Sequence, residues 1–220
     1  MPHFLKHRWN FCKILSLLLL SLILVKQASA EETASNFADK VQSTYEATQS
    51  LRLEFQQKTY VELLEREVSK KGSAQFKKPG KFAIRYEGNR ARQYLSNGKT
   101  LWVFEQGDSQ VQETKLDDDS IPAEALSFLG GLGKLKRDFA VEEISETKQA
   151  RLKLDKNKLR WLELTPLKKR SSIQSLVMGF DPKNYWAREV YLFTESGNLS
   201  HYEFLEVKAG EEMPDKQFEK

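Results

Sequence analysis

The stretch GSAQFKKPGKFAIRYEG, residues 72–88, has the pattern of two β-strands joined by a tight turn. Pro79 and Gly80 suit the centre of a type II turn, because proline fixes φ at a negative value and glycine accepts a positive one. Apolar side chains alternate behind the turn and therefore share one face of the second strand: Phe82, Ile84 and Tyr86. Three lysines surround the corner: Lys77, Lys78 and Lys81. The stretch predicts an antiparallel hairpin with a basic tip.

Similar short strands are predicted on both sides of this hairpin. Segments rich in β-branched and aromatic residues recur at intervals of about ten residues, and turn residues separate them. Asn97-Gly98 predicts a type I′ hairpin, and no segment between residues 51 and 115 has the pattern of a crossover helix. We therefore expect an antiparallel sheet of about eleven strands, and a sheet of that size tends to curl toward a barrel.

Two helices are predicted beside the sheet. Apolar residues share one helical face over residues 34–49, with Ser35 as candidate N-cap, and such a stripe is typical of a helix that packs on a sheet. A second helix, short and very apolar, is predicted within residues 121–135, between a proline and a pair of glycines. The charged segment 146–158 is interpreted as part of a hairpin.

The first thirty residues have the pattern of a secretory signal peptide. Basic residues precede a short apolar run over residues 14–25, and Ala28-Ser29-Ala30 is a small-residue cleavage site. The apolar run is shorter than the roughly 20 residues that a membrane-spanning helix needs. We therefore expect a signal peptide over residues 1–30, cleavage after Ala30, export, and a single domain over residues 31–220.

Cleavage at that site changes the charge and the available chemistry. The leader contains four of the 35 Lys and Arg residues and none of the 31 Asp and Glu residues, so the net charge falls from +4 to zero. The basic pI of the precursor is thus no sign of a nucleic-acid partner. The leader also contains the one cysteine and two of the three histidines, which leaves His201 alone. We therefore expect no catalytic residues, no metal and no cofactor.

The ordered motifs resemble those of the LolA family of periplasmic lipoprotein carriers. GSAQFKKPGKFAIRYEG resembles the family's G-x-x-x-x-[KR]-[KR]-P-x-x-F segment, and YLSNGKTLWVFE, residues 94–105, resembles its [ILV]-S-[DN]-G-K-x-L-W-x-Y segment. An F-x-Q motif at residues 55–57 and PAEALSFLGG at residues 122–131 fit as well. The resemblance covers most of residues 34–207.

This resemblance implies a mainly β fold with some α structure: an open, half-closed antiparallel β-barrel of about eleven strands, with an N-terminal helix and a short apolar lid helix over an apolar cavity. Such proteins accept lipoproteins from an inner-membrane lipoprotein-releasing ABC transporter, carry their acyl chains through the periplasm and pass them to an outer-membrane receptor. The partners expected here are therefore lipoproteins, that transporter and a receptor. We expect a monomer that is not an enzyme.

The resemblance also assigns candidate site residues. Lys78 stands where the family commonly has an Arg that holds the lid closed, and it is the candidate lid lock, with one ammonium in place of a planar fork of donors. Phe82 stands at a position associated with contact to the transporter. The candidate cavity and lid residues are Leu53, Phe55, Phe82, Ile84, Tyr86, Leu95, Leu101, Val103, Leu126, Phe128, Leu129 and Leu132.

Other interpretations stay open at this point. The lysines of the corner can simply solubilise a turn, and Phe82 can simply pack in the core. Trp102 and Phe104 alternate with Leu101 and Val103, and alternation alone does not say which pair faces the cavity. The same fold could carry a phospholipid or a glycolipid, or could bind lipoproteins as a sensor.

Overall fold

The computed structural model describes residues 32–116, 135–167 and 173–220, so the predicted leader and the predicted apolar helix lie outside the described residues, apart from Leu135. The described chain forms one antiparallel sheet. Its strands are β1 (Ser50–Val61), β2 (Arg66–Lys77), β3 (Lys81–Tyr86), β4 (Arg92–Asn97), β5 (Thr100–Glu105), β6 (Gln112–Lys115), β7 (Phe139–Glu143), β8 (Arg160–Pro166), β9 (Ile173–Phe180), β10 (Ala187–Thr194) and β11 (Leu199–Ala209).

The strands are arranged as two meanders that meet in the middle of the sheet. Their order is β6-β5-β4-β3-β2-β1-β11-β10-β9-β8-β7, and β1 pairs with β11. Within the described residues the sheet is open, with β6 and β7 at its edges. The predicted fold class, an open antiparallel sheet of about eleven strands accompanied by helices, is confirmed.

The chain after β1 forms a 3₁₀ turn at Glu62–Leu64, and Glu65 leaves this turn with a φ of 46°. One assignment of a segment was wrong. Within the segment that was interpreted as a hairpin, Glu146–Leu152 form a helix. Ser145 begins this helix, because its hydroxyl accepts a hydrogen bond of 3.3 Å from the main-chain N–H of Lys148.

The β4–β5 hairpin forms where Asn97-Gly98 predicts it, but the turn is of another type. Gly98 has a φ of 90° and Asn97 has no positive φ, whereas a type I′ turn centred on this pair needs positive φ at both residues. The Asn97 side chain instead accepts two hydrogen bonds of 2.9 Å from the main-chain N–H groups after Gly98. These bonds stabilise the turn although Asn97 does not adopt the left-handed backbone conformation that a type I′ turn requires.

The basic corner between β2 and β3 packs against this second turn. Gly80 has a positive φ of 66°, as predicted, and the Lys78–Pro79 peptide bond is cis. A Cβ on Gly98 would lie 2.7 Å from the main-chain oxygen of Pro79. The close approach of the two turns therefore requires a glycine.

Helix α1 (Ala34–Ala47) covers one face of the sheet, in agreement with the helix predicted over residues 34–49. Its N-cap is Thr33 and not Ser35, because the Thr33 hydroxyl accepts a hydrogen bond of 3.2 Å from the N–H of Asn36. The buried residues of α1 share one helical face: Ala34, Phe37, Ala38, Val41 and Tyr45. Two shorter helices, α2 (Leu135–Asp138) and α3 (Glu146–Leu152), flank β7.

The sheet has an inner face, which α1 covers, and an outer face. The inner face and α1 form the largest hydrophobic cluster of the described residues. The outer face has two smaller clusters. One lies beneath the C-terminal 3₁₀ turn Asp215–Phe218, and the other surrounds Trp161 and includes Leu152 of α3 at its margin.

The inner face is strongly curved. Val103 of β5 and Leu192 of β10 line the same cavity, although five strands separate β5 from β10 in sheet order. A flat sheet would place these two residues more than 20 Å apart, because neighbouring strands lie about 4.8 Å apart. The curvature creates a space that a ligand can occupy.

Candidate functional site

The half of the inner face beneath α1 is a closed apolar core. Five of the predicted cavity residues are buried there: Leu53, Phe55, Phe82, Ile84 and Leu101. Phe37 of α1 belongs to the same cluster, and its ring centroid lies 6.1 Å from that of Phe180 on β9. An apolar ligand can reach these strand residues only if the side chains packed on them, including those of α1, move.

The C-terminal end of α1 is fixed by polar contacts. The Nζ atom of Lys78 donates hydrogen bonds of 2.7 Å to the main-chain oxygens of both Tyr45 and Glu46. These carbonyls belong to the last turn of α1, where main-chain oxygens have no partner within the helix and a positive charge is favourable. Lys78 therefore holds the helix that covers the inner face.

Tyr45 provides a second attachment for the same end of α1. Its hydroxyl oxygen accepts a hydrogen bond of 3.2 Å from the buried N–H of Ala187, and its ring lies 4.8 Å from that of Trp186. Burial raises the pKa of Tyr45 well above its ordinary value, so the phenol stays neutral. This contact connects α1 to the beginning of β10.

The N-terminal half of α1 is held by α2. The Nζ atom of Lys136 lies 2.8 Å from Oδ1 of Asp39 and 3.1 Å from the hydroxyl of Ser35. The main-chain N–H of Lys136 donates to the side-chain oxygen of Gln42 at 3.2 Å. All of these contacts are non-covalent, and most are exposed to solvent, so α1 is attached to the sheet without being locked.

A row of aromatic rings marks the border of the apolar half. The rings of Tyr202, Phe55, Tyr86 and Tyr94 follow one another across the sheet, with centroid distances of 6.0, 5.4 and 6.4 Å. Gly72 on β2 lies beneath the row. A Cβ at this position would lie 2.6 Å from Cζ of Phe55 and 2.4 Å from the main-chain oxygen of Arg85. The missing side chain thus makes room for the Phe55 ring.

Beyond this row the inner face opens into a cavity of about 460 Å³, within the usual range for ligand pockets. Its apolar lining is Val61, Val68, Tyr86, Tyr94, Val103 and Leu192. Its polar lining is Gln57, Thr59, Lys70, Arg92, Glu105, Asp108, Gln110, Gln112, Thr194, Asn198 and Ser200. The inner face is therefore apolar beneath α1 and mixed at its open end.

Charged residues stand at the rim of this cavity. The guanidinium Nε of Arg92 lies 3.1 Å from a carboxylate oxygen of Glu105, and this hydrogen bond raises the pKa of Arg92 above its ordinary value. Lys70 lies over the Tyr86 ring, with its Nζ atom 5.5 Å from the centroid. The rim thus offers both signs of charge to a polar group at the mouth.

The other two lysines of the basic corner point to the C-terminal turn. The Nζ atoms of Lys77 and Lys81 lie 2.5 and 2.7 Å from the two carboxylate oxygens of Asp215. Lys77 also donates to the main-chain oxygen of Met213 at 2.7 Å. These two ammonium groups lower the pKa of Asp215 to about 2. The corner KKPGK therefore binds the N-terminal helix on one face and the C-terminal turn on the other.

The structure describes eight of the twelve predicted cavity and lid residues and places these eight in three environments. Tyr86 and Val103 line the open cavity, and five others are buried in the inner-face cluster to which α1 contributes. The placement of Leu95 on the cavity side was wrong, because Leu95 packs on the outer face with Ala83, Trp102, Met213 and Phe218. Four predicted lid residues lie outside the described residues: Leu126, Phe128, Leu129 and Leu132.

Phe82, the predicted transporter contact, is only 4% exposed and lies 6.5 Å from the Phe76 ring. A partner could contact its ring only after the covering elements move. The role of Phe82 and the lid-lock role of Lys78 both stay predictions.

Sequence reasoning missed the polar residues of the open half. Gln57 and Thr59 continue the alternation of Leu53 and Phe55 along β1, so strand parity places all four on one face. Ser200 faces them because it pairs with Thr59 in the β1–β11 register. Strand alternation does predict Gln57 and Thr59 on the inner face, but only apolar side chains were considered as candidates for the cavity wall.

Metal-ligand groups and membrane-spanning helices are both absent from the residues that the structure describes. Across residues 32–116, 135–167 and 173–220, no three His, Cys, Asp or Glu side chains are grouped as metal ligands. Among the helices in these ranges, none has the length and apolar character needed to cross a bilayer.

Comparison with known proteins agrees with this architecture. The family described as "Outer membrane lipoprotein carrier protein LolA" matches residues 46–220 of the chain. The chain belongs to the LolA family. A curated outer-membrane lipoprotein carrier protein from Cupriavidus pinatubonensis is 28% identical over 183 residues, which cover 82% of this chain and 81% of the relative. Another, from Chromobacterium violaceum, is 25% identical over 147 residues, which cover 67% of this chain and 66% of that protein.

A solved structure shows the same fold. The chain matches an uncharacterized conserved protein from Thermus thermophilus with a TM-score of 0.52 and 9% identity, and the match covers 85% of this chain and 93% of the other. At this level of identity the likeness concerns the fold alone. The same arrangement of the sheet therefore occurs in a protein with a very different sequence.

Proposed function

We propose that this chain is a periplasmic carrier that binds the acyl chains of a lipoprotein against the inner face of its sheet. It would accept the lipoprotein from an inner-membrane ABC transporter and release it to a receptor at the outer membrane. The observation that carries this proposal is a continuous apolar surface that opens into a cavity and is covered by a helix held only by non-covalent contacts. Membership of the LolA family, and the names of the relatives, support it.

Acyl chains must be shielded from water while they cross the periplasm. Each acyl methylene that is exposed to water costs about 0.8 kcal/mol, so a lipoprotein with several chains cannot cross an aqueous compartment unprotected. A carrier must cover the chains and must also release them. It therefore needs apolar surface that is available to the cargo and protected when no cargo is bound.

Helix α1 meets this need by competing with the cargo. In the closed arrangement its buried side chains, including Phe37 and Val41, cover the apolar strand residues. When acyl chains enter, they take over the contacts that these side chains lose, so the change in buried apolar area is small. Binding and release are then close to balanced, as a reversible carrier requires.

The experiment holds α1 in place and measures loading. Asp39→Cys and Lys136→Cys place thiols on α1 and α2 at two partly exposed positions that form an ion pair in the wild type, and α2 continues directly into β7. A short bismaleimide would bridge them, since the chain after Ala30 has no cysteine. Native mass spectrometry then measures binding of a synthetic triacylated lipopeptide. We expect the unbridged protein to bind and the bridged protein to bind at least tenfold more weakly.

A bridge of the same chemistry at the outer face is the matched control. Lys77→Cys with Asp215→Cys joins another ion pair, on the side away from α1, and should leave loading unchanged. Equal loading of the α1-bridged protein would contradict the role given to the helix. A wild-type protein that takes up phospholipid but no lipopeptide would move the function to another lipid.

A further inference from the structure

Three polar side chains within hydrogen-bond distance of one another lie in the wall of the cavity, directly after the aromatic row. Nε2 of Gln57 lies 2.8 Å from the hydroxyl oxygen of Thr59 and 3.4 Å from that of Ser200. The two hydroxyl oxygens lie 2.8 Å apart. These three residues lie side by side on β1 and β11, and all three line the cavity.

One half of the Gln57 amide has no partner in the protein. The residue is 6% exposed, and its Oε1 atom is buried without a hydrogen bond. Rotating the amide by 180° exchanges oxygen and nitrogen and leaves the nitrogen without a partner instead. In either orientation a buried polar atom in the cavity wall lacks a hydrogen bond, and such an atom destabilises the protein until a ligand or water satisfies it.

The position of Gln57 suits a junction between apolar and polar parts of a ligand. Leu53 and Phe55 precede it on the same face of β1 and belong to the apolar core, whereas Thr59 follows it in the open cavity. Successive residues on one face of a strand are about 6.6 Å apart. A ligand that lies along β1 with its acyl chain over Phe55 therefore places the group that ends the chain beside Gln57.

We propose that Gln57, supported by Thr59 and Ser200, is a subsite for the amide that links an acyl chain to its carrier molecule. The proposal rests on the proposed function, since it requires acyl chains on the inner face. With Nε2 bonded to the hydroxyls of Thr59 and Ser200, the free Oε1 of Gln57 can accept a hydrogen bond from the N–H of a secondary amide. An ester lacks the donor, and a free ammonium group would be costly to bury in this wall.

The subsite distinguishes ligands that share their acyl chains and differ in the linkage. A triacylated lipopeptide with an amide-linked chain should bind more tightly than the same lipopeptide with that amide N-methylated, because N-methylation removes the N–H and keeps the chain. A buried hydrogen bond of this kind changes affinity by about tenfold. Phosphatidylglycerol, whose chains are joined by esters, should not respond to changes at Gln57.

The test combines two ligands with three proteins. Dissociation constants of the amide and N-methyl lipopeptides are measured by titration calorimetry for the wild type, Gln57→Leu and Gln56→Leu. Gln56 is the neighbouring glutamine, half-buried, and strand alternation places it on the other face, so it is a matched control. We expect N-methylation to weaken binding about tenfold in the wild type and in Gln56→Leu, and to have no effect in Gln57→Leu.

The possible results separate this proposal from the proposed function. If N-methylation has the same effect in all three proteins, the subsite is overturned although lipopeptide binding stands. If the wild type binds neither lipopeptide, the proposed function fails and the subsite fails with it. Thermal melting checks that Gln57→Leu is folded, and Gln57→Met replaces it if leucine does not fit.

Discussion

The ammonium group of Lys78 lies 2.7 Å from the main-chain oxygen of Tyr45, at the last turn of the helix that covers the inner face. It makes a second bond of the same length to the oxygen of Glu46. Its neighbour Lys77 points to the outer face and binds Asp215. Two adjacent lysines thus bind an early and a late segment of the chain, which explains why the corner is basic.

Replacement of Lys78 should loosen α1 selectively. Lys78→Met removes two hydrogen bonds and a positive charge from the C-terminal end of the helix, which should lower the free energy of unfolding by about 1–2 kcal/mol. Hydrogen exchange at the last turn of α1 should accelerate more than exchange in β1. Lys77→Met is the control, since it should leave exchange in α1 unchanged. Equal acceleration in both variants would contradict a specific contact between Lys78 and the helix.

Gly72 should not tolerate a side chain. Gly72→Ala places a Cβ in contact with the Phe55 ring and with the main-chain oxygen of Arg85, and overpacking of this kind costs about 1–3 kcal/mol. The measurement is urea denaturation, with Ser73→Ala as the neighbouring control. Adding Phe55→Leu to Gly72→Ala should recover only part of the loss, because the contact with Arg85 remains. A neutral Gly72→Ala variant would show that the aromatic row does not depend on this glycine.

Alternation along single strands predicted much of this architecture. Phe82, Ile84 and Tyr86 share the inner face as the two-residue period requires. Leu95 was placed wrongly because the outer face of β4 and β5 also has a hydrophobic cluster, beneath the C-terminal turn. An apolar residue of a strand that is covered on both sides gives no signal about which side it faces.

The partners of the basic corner could not be predicted for a different reason. Lys78 binds carbonyls more than 30 residues before it, and Lys77 binds a carboxylate 138 residues after it. Such contacts depend on the positions of both chain ends on the sheet, and no local pattern encodes them. The helix Glu146–Leu152 was missed because Ala150, Leu152 and Leu154 alternate like the residues of a strand, and because its cap at Ser145 was not recognised.

The ion pairs of Asp215 should make stability depend on acid pH. The folded protein lowers the pKa of this carboxyl from its ordinary value of 3.8 to about 2, through Lys77 first and then Lys81. A lowered pKa means that the ionised form stabilises the fold, so the contribution is complete above about pH 5 and is lost as the pH falls toward 2. The difference in Tm between wild type and Asp215→Asn should follow this course. It should also shrink in 1 M salt, because the carboxylate is exposed.

The difference in Tm between wild type and Asp215→Asn reports on the carboxyl group of Asp215 and not on the other acids of the protein. Glu219→Gln is a suitable control, since it removes an acid from the same segment without removing a contact to Lys77 or Lys81. Its difference in Tm from the wild type should be small, because the substitution leaves both ion pairs of Asp215 in place. A constant difference for Asp215→Asn between pH 2 and pH 6 would contradict the coupling between the corner and the C-terminal turn.

Phe82→Glu should unfold the protein before it can report on any partner. The ring is 4% exposed and lies in the inner-face cluster beside Phe76, so the substitution removes a buried aromatic ring and adds a carboxyl group that has no partner there. The expected loss is about 4 kcal/mol or more, a large part of the total stability of a typical domain. Tyr60→Glu makes the same kind of change at a position that is 41% exposed and should cost little. Circular dichroism melts compare the two variants, and a stable Phe82→Glu that no longer loads lipopeptide would instead place this ring at an accessible binding surface.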